Sequence, residues 1–304
     1  MLPSFVIVGA AKAGTTAIAE YMGQHPDVFF PAVKEPGFFA FEGRQPAFTG
    51  PGDAAAINRF TVSDAERYAA LFASRRARAA RARGEASTAY LTFPHSAQVM
   101  ARVLEDPIVV AVLRHPVERA YSQFLHSLRD GRETVSDFTA ALDLEDGRIR
   151  AGWGPQFWYR RRGFYSGAVA AFQAAFGSRF HVLLYDDFAR DPQGFLAGLF
   201  ELVGVDPGHP VDTSQRLNAS GVATNRLGAL ARSALSPALP ALRRAAPRAA
   251  VDLARRLLPA ERRKPPMPAE AAARLAAAYA GDIERLAGLI DRDLGAWTGA
   301  SAAS

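Results

Sequence analysis

The chain has 304 residues, 49% of them hydrophobic and 22% charged, which is material for one large core; a single domain over 1–304 is expected. Cysteine is absent and the six histidines lack a zinc-type spacing, so disulfides and thiolate metal ligands are excluded and no metal is expected. A formal charge of +6 favours an anionic partner.

Phe5 to Val8 is a continuous, β-branched apolar run, the pattern of a strand buried on both faces, and it enters a turn bracketed by Gly9 and Gly14. A helix follows over Thr15 to Gln24. Its free N–H groups and the positive end of its dipole face the turn, where Lys12 adds a mobile charge, Ala13 and Gly14 allow close approach, and Thr15 and Thr16 offer hydroxyls. This is a cradle for a phosphate or sulfate ester. A nucleotide triphosphatase loop has its lysine after the second glycine, whereas here the glycines bracket it, so the turn is not a Walker loop. Phe5 to Ala11 is too short for a secretory signal and no run reaches spanning length, so a cytoplasmic protein is expected.

Lys34-Glu35-Pro36-Gly37 reads as a turn before Phe38 and Phe39, and residues 42–63 read as an exposed loop. Asp64 caps a helix to about Ser74, Gly84 to Ser87 forms a short strand leading to Tyr90, and a helix near Ser96 to Leu104 precedes a second buried strand, Ile108 to Leu113. Pro116 opens a helix that runs to Arg129 with Glu118 in its first turn. Residues 130–162 are polar and aromatic. There Trp153, Phe157, Trp158 and Tyr159 accompany Arg160, Arg161 and Arg162, either to stack on an acceptor or to close the core. Helix Tyr165 to Phe176, strand Phe180 to Leu184 and helix Pro192 to Val203 restore the alternation. It predicts an α/β fold, a P-loop-type three-layer sandwich with a central parallel sheet flanked by helices and ligands beyond the carboxyl ends of the strands.

Between Arg226 and Lys264 ten basic residues face only Asp252 and Glu261, an amphipathic arm that caps the site, stays solvated or touches anionic membrane. From about Pro268 a packing helix is expected to about 294, with Leu275, Tyr279, Ile283, Leu286, Ile290 and Leu294 on one face and Trp297 pinning its end.

The strand at 108–113 ends in Arg114, where a phosphoryl transferase would place a magnesium-holding aspartate. Arg114 can fork onto a phosphate and Ser122 can donate to the same group; equally, Arg114 can pair with Glu118 one turn on. Two anion sites suit a nucleotide phosphorylated at both ends.

These residues resemble a known family. GAAKAGTT at 9–16 is similar to the loop that holds the 5′-phosphosulfate of 3′-phosphoadenylyl sulfate (PAPS) in sulfotransferases, and VVAVLRHPVERAYSQF at 109–124 is similar to their 3′-phosphate motif. Glu35 to Phe39, Gly84 to Tyr90 and Leu184 to Phe188 resemble the bacterial branch related to heparan sulfate N- and 3-O-sulfotransferases. The resemblance implies that Lys12, Ala13, Gly14, Thr15 and Thr16 hold the phosphosulfate, that Arg114 and Ser122 hold the 3′-phosphate, and that Glu35 and Lys12 are catalytic. Heparan 3-O-enzymes carry a lysine where this chain has Ala86, so a positive charge near the reaction centre comes from elsewhere or is dispensable. His115 replaces the usual Asn or Asp, which weakens the helix cap.

The implied reaction moves the sulfuryl group of PAPS to a hydroxyl or amine of a carbohydrate, lipid or small-molecule acceptor, with no nucleic-acid partner and no metal. Glu35 would take the acceptor's proton; its ordinary pKa of about 4.3 makes a feeble base that partial burial beside Phe38 and Phe39 would strengthen. His126 is the reserve base. Two other readings stand: a P-loop kinase or nucleotidase, and a non-catalytic nucleotide-binding protein on a membrane surface.

Overall fold

A computed structural model describes residues 1–214 and 265–298. The basic arm expected at 226–264 lies outside the described residues, apart from its flank. Five parallel strands form the central sheet: β1 (Phe5–Gly9), β2 (Val28–Phe29), β3 (Ala82–Ala86), β4 (Ile108–Leu113) and β5 (Phe180–Leu184), in the order β2-β3-β1-β4-β5. Phe5 to Val8 and Val109 to Leu113 are 1% exposed or less, as expected of strands with a neighbour on each edge and helices on each face.

Helices α1 (Thr15–Met22) and α2 (Phe38–Phe41) follow β1 and β2, and α3 (Ile57–Phe60), α4 (Ala65–Ala70) and α5 (Arg75–Ala79) lead into β3. The single helix expected after Asp64 is therefore two. Asp64 accepts from the Arg67 N–H and caps α4, but Ser74 accepts from the Ala77 N–H and starts α5 anew. Residues 42–63 are also less open than expected, because Asp53 is buried and accepts from Gly50 N, Gly154 N and Gln156 Nε2 at 2.7–2.8 Å.

Between β3 and β4 lie α6 (Ala89–Thr92) and α7 (Ser96–Val103); β4 leads into α8 (Pro116–Arg129). The polar stretch after it holds α9 (Phe138–Asp143) and α10 (Glu145–Arg150). Its aromatic part is mostly core: Phe157 and Tyr159 are fully buried, and Tyr159 donates to Glu133, which also receives a two-armed ion pair from Arg148 at 2.7 Å. Buried Arg119 of α8 donates to the Tyr159 carbonyl. The remaining helices are α11 (Ser166–Phe176), α12 (Tyr185–Arg190), α13 (Pro192–Leu202), α14 (Ala269–Ile290) and α15 (Gly295–Thr298).

Helix α14 lays Leu275, Tyr279, Ile283 and Leu286 into the core and ends at Ile290, where Asp291 takes a left-handed φ of 49°. Its Asp282 accepts from the backbone N–H groups of Tyr165 and Ser166 at 2.7 and 3.2 Å, which caps α11 from another helix. Leu294 and Trp297 are 3% exposed, and Trp297 Nε1 donates to Asp186 at 3.2 Å. No described helix is long and apolar enough to cross a membrane.

After β1 the chain crosses toward the β2 edge, and after β4 toward the β5 edge, so the strand order reverses between β1 and β4. A crevice opens at such a point beyond the carboxyl ends of the strands. The Lys12 turn and Arg114 are the two segments that border it.

Candidate active site

The turn after β1 is built around two left-handed residues, Lys12 (φ 69°) and Gly14 (φ 79°). For lysine that conformation costs about 1–2 kcal/mol, so a small residue would sit there more comfortably. At Gly14 a side chain is also crowded: a Cβ would stand 3.1 Å from the Tyr185 ring, which would have to give way by a few tenths of an ångström. Gly14 is the N-cap of α1 and brings no side chain to its first N–H groups. Ala13 and Thr15 are buried, whereas Lys12, Gly14 and Thr16 keep partial exposure. Burial and then the Arg129 charge pull the Lys12 ammonium down to about 8, with Asp130 and Glu35 acting in the opposite sense.

Arg114 joins this turn directly. Its Nη1 donates to the Lys12 carbonyl at 3.2 Å, its guanidinium lies 4.8 Å from the centre of the Tyr185 ring, and Tyr165 donates its hydroxyl to the Arg114 carbonyl at 2.9 Å. The Glu118 pairing is present as well, at 2.7 Å. Ser122 is 2% exposed on α8. His115 does cap this helix, contrary to the weakened cap expected: its Nδ1 accepts from Val117 N at 3.3 Å, and burial lowers the ring's pKa, which favours the neutral, accepting form.

Glu35 also has a left-handed backbone, φ 48°. The burial expected for it is absent, because Phe38 and Phe39 turn into the core: Phe38 stacks on Tyr68 at 4.4 Å and Phe39 meets Tyr90 at 5.2 Å, leaving Glu35 exposed. Besides the Val62 N–H bond to the Pro36 carbonyl at 2.8 Å, two bonds tie its loop to the segment after β3. Thr88 Oγ1 donates to Glu35 Oε2 at 3.0 Å, and Gly37 N donates to Ser87 Oγ at 3.0 Å. Ser87 in turn donates to Glu85, a fully buried carboxyl that also receives the Tyr68 and Tyr90 hydroxyls at 2.9 and 2.8 Å. Burial pushes Glu85 up to about 7 in spite of these three donors. His126 pairs with Asp130 at 3.4 Å, and burial followed by the Lys12 charge pulls it down to about 4.

A cavity of about 420 Å³ opens beside the turn, lined by Ala10, Ala11, Thr88, Leu91, Arg162 and Phe164 among others. Of the aromatic residues at 153–165, buried Tyr165 and Phe164, which is 41% exposed, line this cavity. Arg162 and Thr88 form the cavity's polar wall on the Glu35 side; the sequence offers Arg162 among the residues for an acceptor, whereas nothing in it singles out Thr88. The arrangement offers a cationic, amide-lined crevice at one end, an apolar and cationic cavity at the other, and a carboxylate near their junction.

A family model described as the sulfotransferase family matches residues 3–208. The crystal structure of a sulfotransferase from Alicyclobacillus acidocaldarius superposes with a TM-score of 0.76 at 34% identity, covering 98% of this chain and all of that one. Membrane-associated sulfotransferase kil1 of Dictyostelium discoideum is 27% identical over 129 residues, 42% of this chain. That match spans about a quarter of kil1, 24% of its length.

Proposed function

We propose that this chain, which belongs to the sulfotransferase family, uses PAPS to sulfate a hydroxyl or amine on an acceptor that enters through the cavity beside Thr88 and Phe164. The observation that carries the nucleotide part of this reading is the Arg114 bond to the Lys12 carbonyl. It makes one cationic site of two segments that meet where the strand order reverses, which suits a nucleotide with phosphates at both ends. Lys12 to Thr16 would take the phosphosulfate, and Arg114 with Ser122 the 3′-phosphate.

Sulfuryl transfer forms a bond from the acceptor oxygen or nitrogen to sulfur as the bond from sulfur to the bridging phosphate oxygen breaks. Charge gathers on that leaving oxygen while the acceptor loses a proton. Lys12 and the N-terminus of α1 would stabilise the leaving group. Glu35, by its resemblance to the carboxylate of the heparan-type branch, would receive the proton. Positioning supplies the rest.

Calorimetry with adenosine 3′,5′-bisphosphate (PAP) and ATP side by side, followed by labelled PAPS with carbohydrate, lipid and phenolic acceptors, tests the proposal. Tight PAP binding, weak ATP binding and label on an acceptor are expected. Preference for ATP would replace the reading with a kinase or nucleotidase.

A further inference from the structure

Thr88 stands between the cavity and Glu35, and its hydroxyl is shared. Its Oγ1 donates to Glu35 Oε2 at 3.0 Å, and the same oxygen lies 3.4 Å from Arg162 Nη2, which also approaches the Thr88 carbonyl at 3.3 Å. Arg162 is itself fixed. Its Nε donates to Thr92 Oγ1 at 2.9 Å and its Nη1 reaches the Pro155 carbonyl at 3.4 Å. A guanidinium only donates, so the Thr88 oxygen receives from Arg162 and its single proton is directed to Glu35.

These partners are hydroxyls and carbonyls, and among the described residues Arg162 makes no ion pair. The Glu35 charge acts on Arg162, on Lys12 of the β1 turn and on Glu85 of β3, so all three lie within its reach. An exposed glutamate otherwise samples many rotamers, and holding it in one costs side-chain entropy. Ser87 and Glu85 hold the backbone of the Glu35 loop; nothing but Thr88 among the described residues bonds to its carboxylate.

We propose that Arg162, acting through Thr88, is a positioning residue that fixes the Glu35 carboxylate at the edge of the cavity. The proposal rests on the reading of Glu35 as general base. It assigns the segment after Arg160 a part in the chemistry, beyond shaping the acceptor cavity.

The test is the titration of the Glu35 carboxyl carbon in full-length protein labelled with 13C-glutamate, its signal assigned by Glu35→Gln. In Arg162→Met the midpoint should rise, because a cation and an ordered donor are both lost. Thr88→Val should move it the same way, the double variant no further than the larger single, and Thr88→Ser should restore the wild-type midpoint. Arg162→Lys, which keeps the charge and loses the fork, should give a smaller rise and serves if Arg162→Met does not fold. A wild-type midpoint in Arg162→Met, or single effects that add in the double variant, would overturn the proposal. PAP affinity should be unchanged in Arg162→Met. If wild-type protein fails to bind PAP, the functional reading falls, while the titrations still decide the coupling through Thr88.

Discussion

Arg114 and Glu118 form an ion pair of 2.7 Å across one turn at the start of α8, so a carboxylate borders the guanidinium proposed to take a 3′-phosphate. Glu118 is half exposed, and such pairs contribute about 1 kcal/mol or less, so a phosphate dianion can displace it. Arg114→Ala should weaken PAP binding by about 1.5–3 kcal/mol and leave adenosine 5′-monophosphate nearly unaffected. Glu118→Gln should tighten PAP by about two- to fivefold. Calorimetry reads both, and equal losses for the two nucleotides in Arg114→Ala would detach this residue from the 3′-phosphate.

Lys12 gives a dependence on alkaline pH. Its ammonium, held at about 8, is the form that meets an anion, so affinity for PAP should stay level near pH 7 and decline above about 8, approaching tenfold per pH unit. The phosphates have already lost their second proton by then, since that pKa is about 6. Lys12→Arg should carry the decline beyond the measured range. A level wild-type affinity to about pH 9.5 would contradict the role given to this side chain.

Glu85 gives a dependence of stability on pH. The folded chain keeps its proton to about 7, whereas the unfolded chain releases it near the ordinary 4.5. The folded state therefore binds more protons between those values. Stability falls as pH rises through that window, by about 3 kcal/mol once pH exceeds 7. Glu85→Gln imitates the neutral carboxyl and should raise the melting temperature, relative to wild type, more at pH 8 than at pH 5. Equal differences at the two pH values would show that the carboxyl is not the group responsible.

Glu35→Gln preserves size and the Thr88 contact but cannot take a proton. Turnover should fall by about 10²–10⁴ with PAP affinity kept. The loss should be greatest for a poorly acidic alcohol and smaller for a phenol, measured by transfer of label. If turnover survives on the acceptor the enzyme favours, His126 is next, although its low pKa makes it the weaker base at neutral pH.

Most of the sheet and the cationic end of the site were legible because they are local. β1 and β4 are unbroken apolar runs, β5 is interrupted only by His181, and the turn with Lys12 and the strand end at Arg114 each declare themselves within a few residues. β2 escaped because two residues carry no periodicity, and α2 because its aromatic residues read only as a covering for Glu35. The sequence posed the question of a charge to replace the lysine missing at Ala86. It placed three arginines at 160–162 without saying which one reaches Thr88. That contact depends on how α6 and the 155–163 segment meet, a long-range packing outcome that no spacing encodes.

The cap that Asp282 places on α11 has a bearing on biosynthesis. Tyr165, whose N–H donates to it and whose hydroxyl supports the Arg114 carbonyl, belongs to the wall of the site, yet Asp282 is translated after all five strands of the sheet. A ribosome-bound chain can pair β1 with β4 long before α14 emerges. Its nucleotide end lacks this support until then, so a nascent chain stalled before α14 should be compact yet poor at retaining PAP.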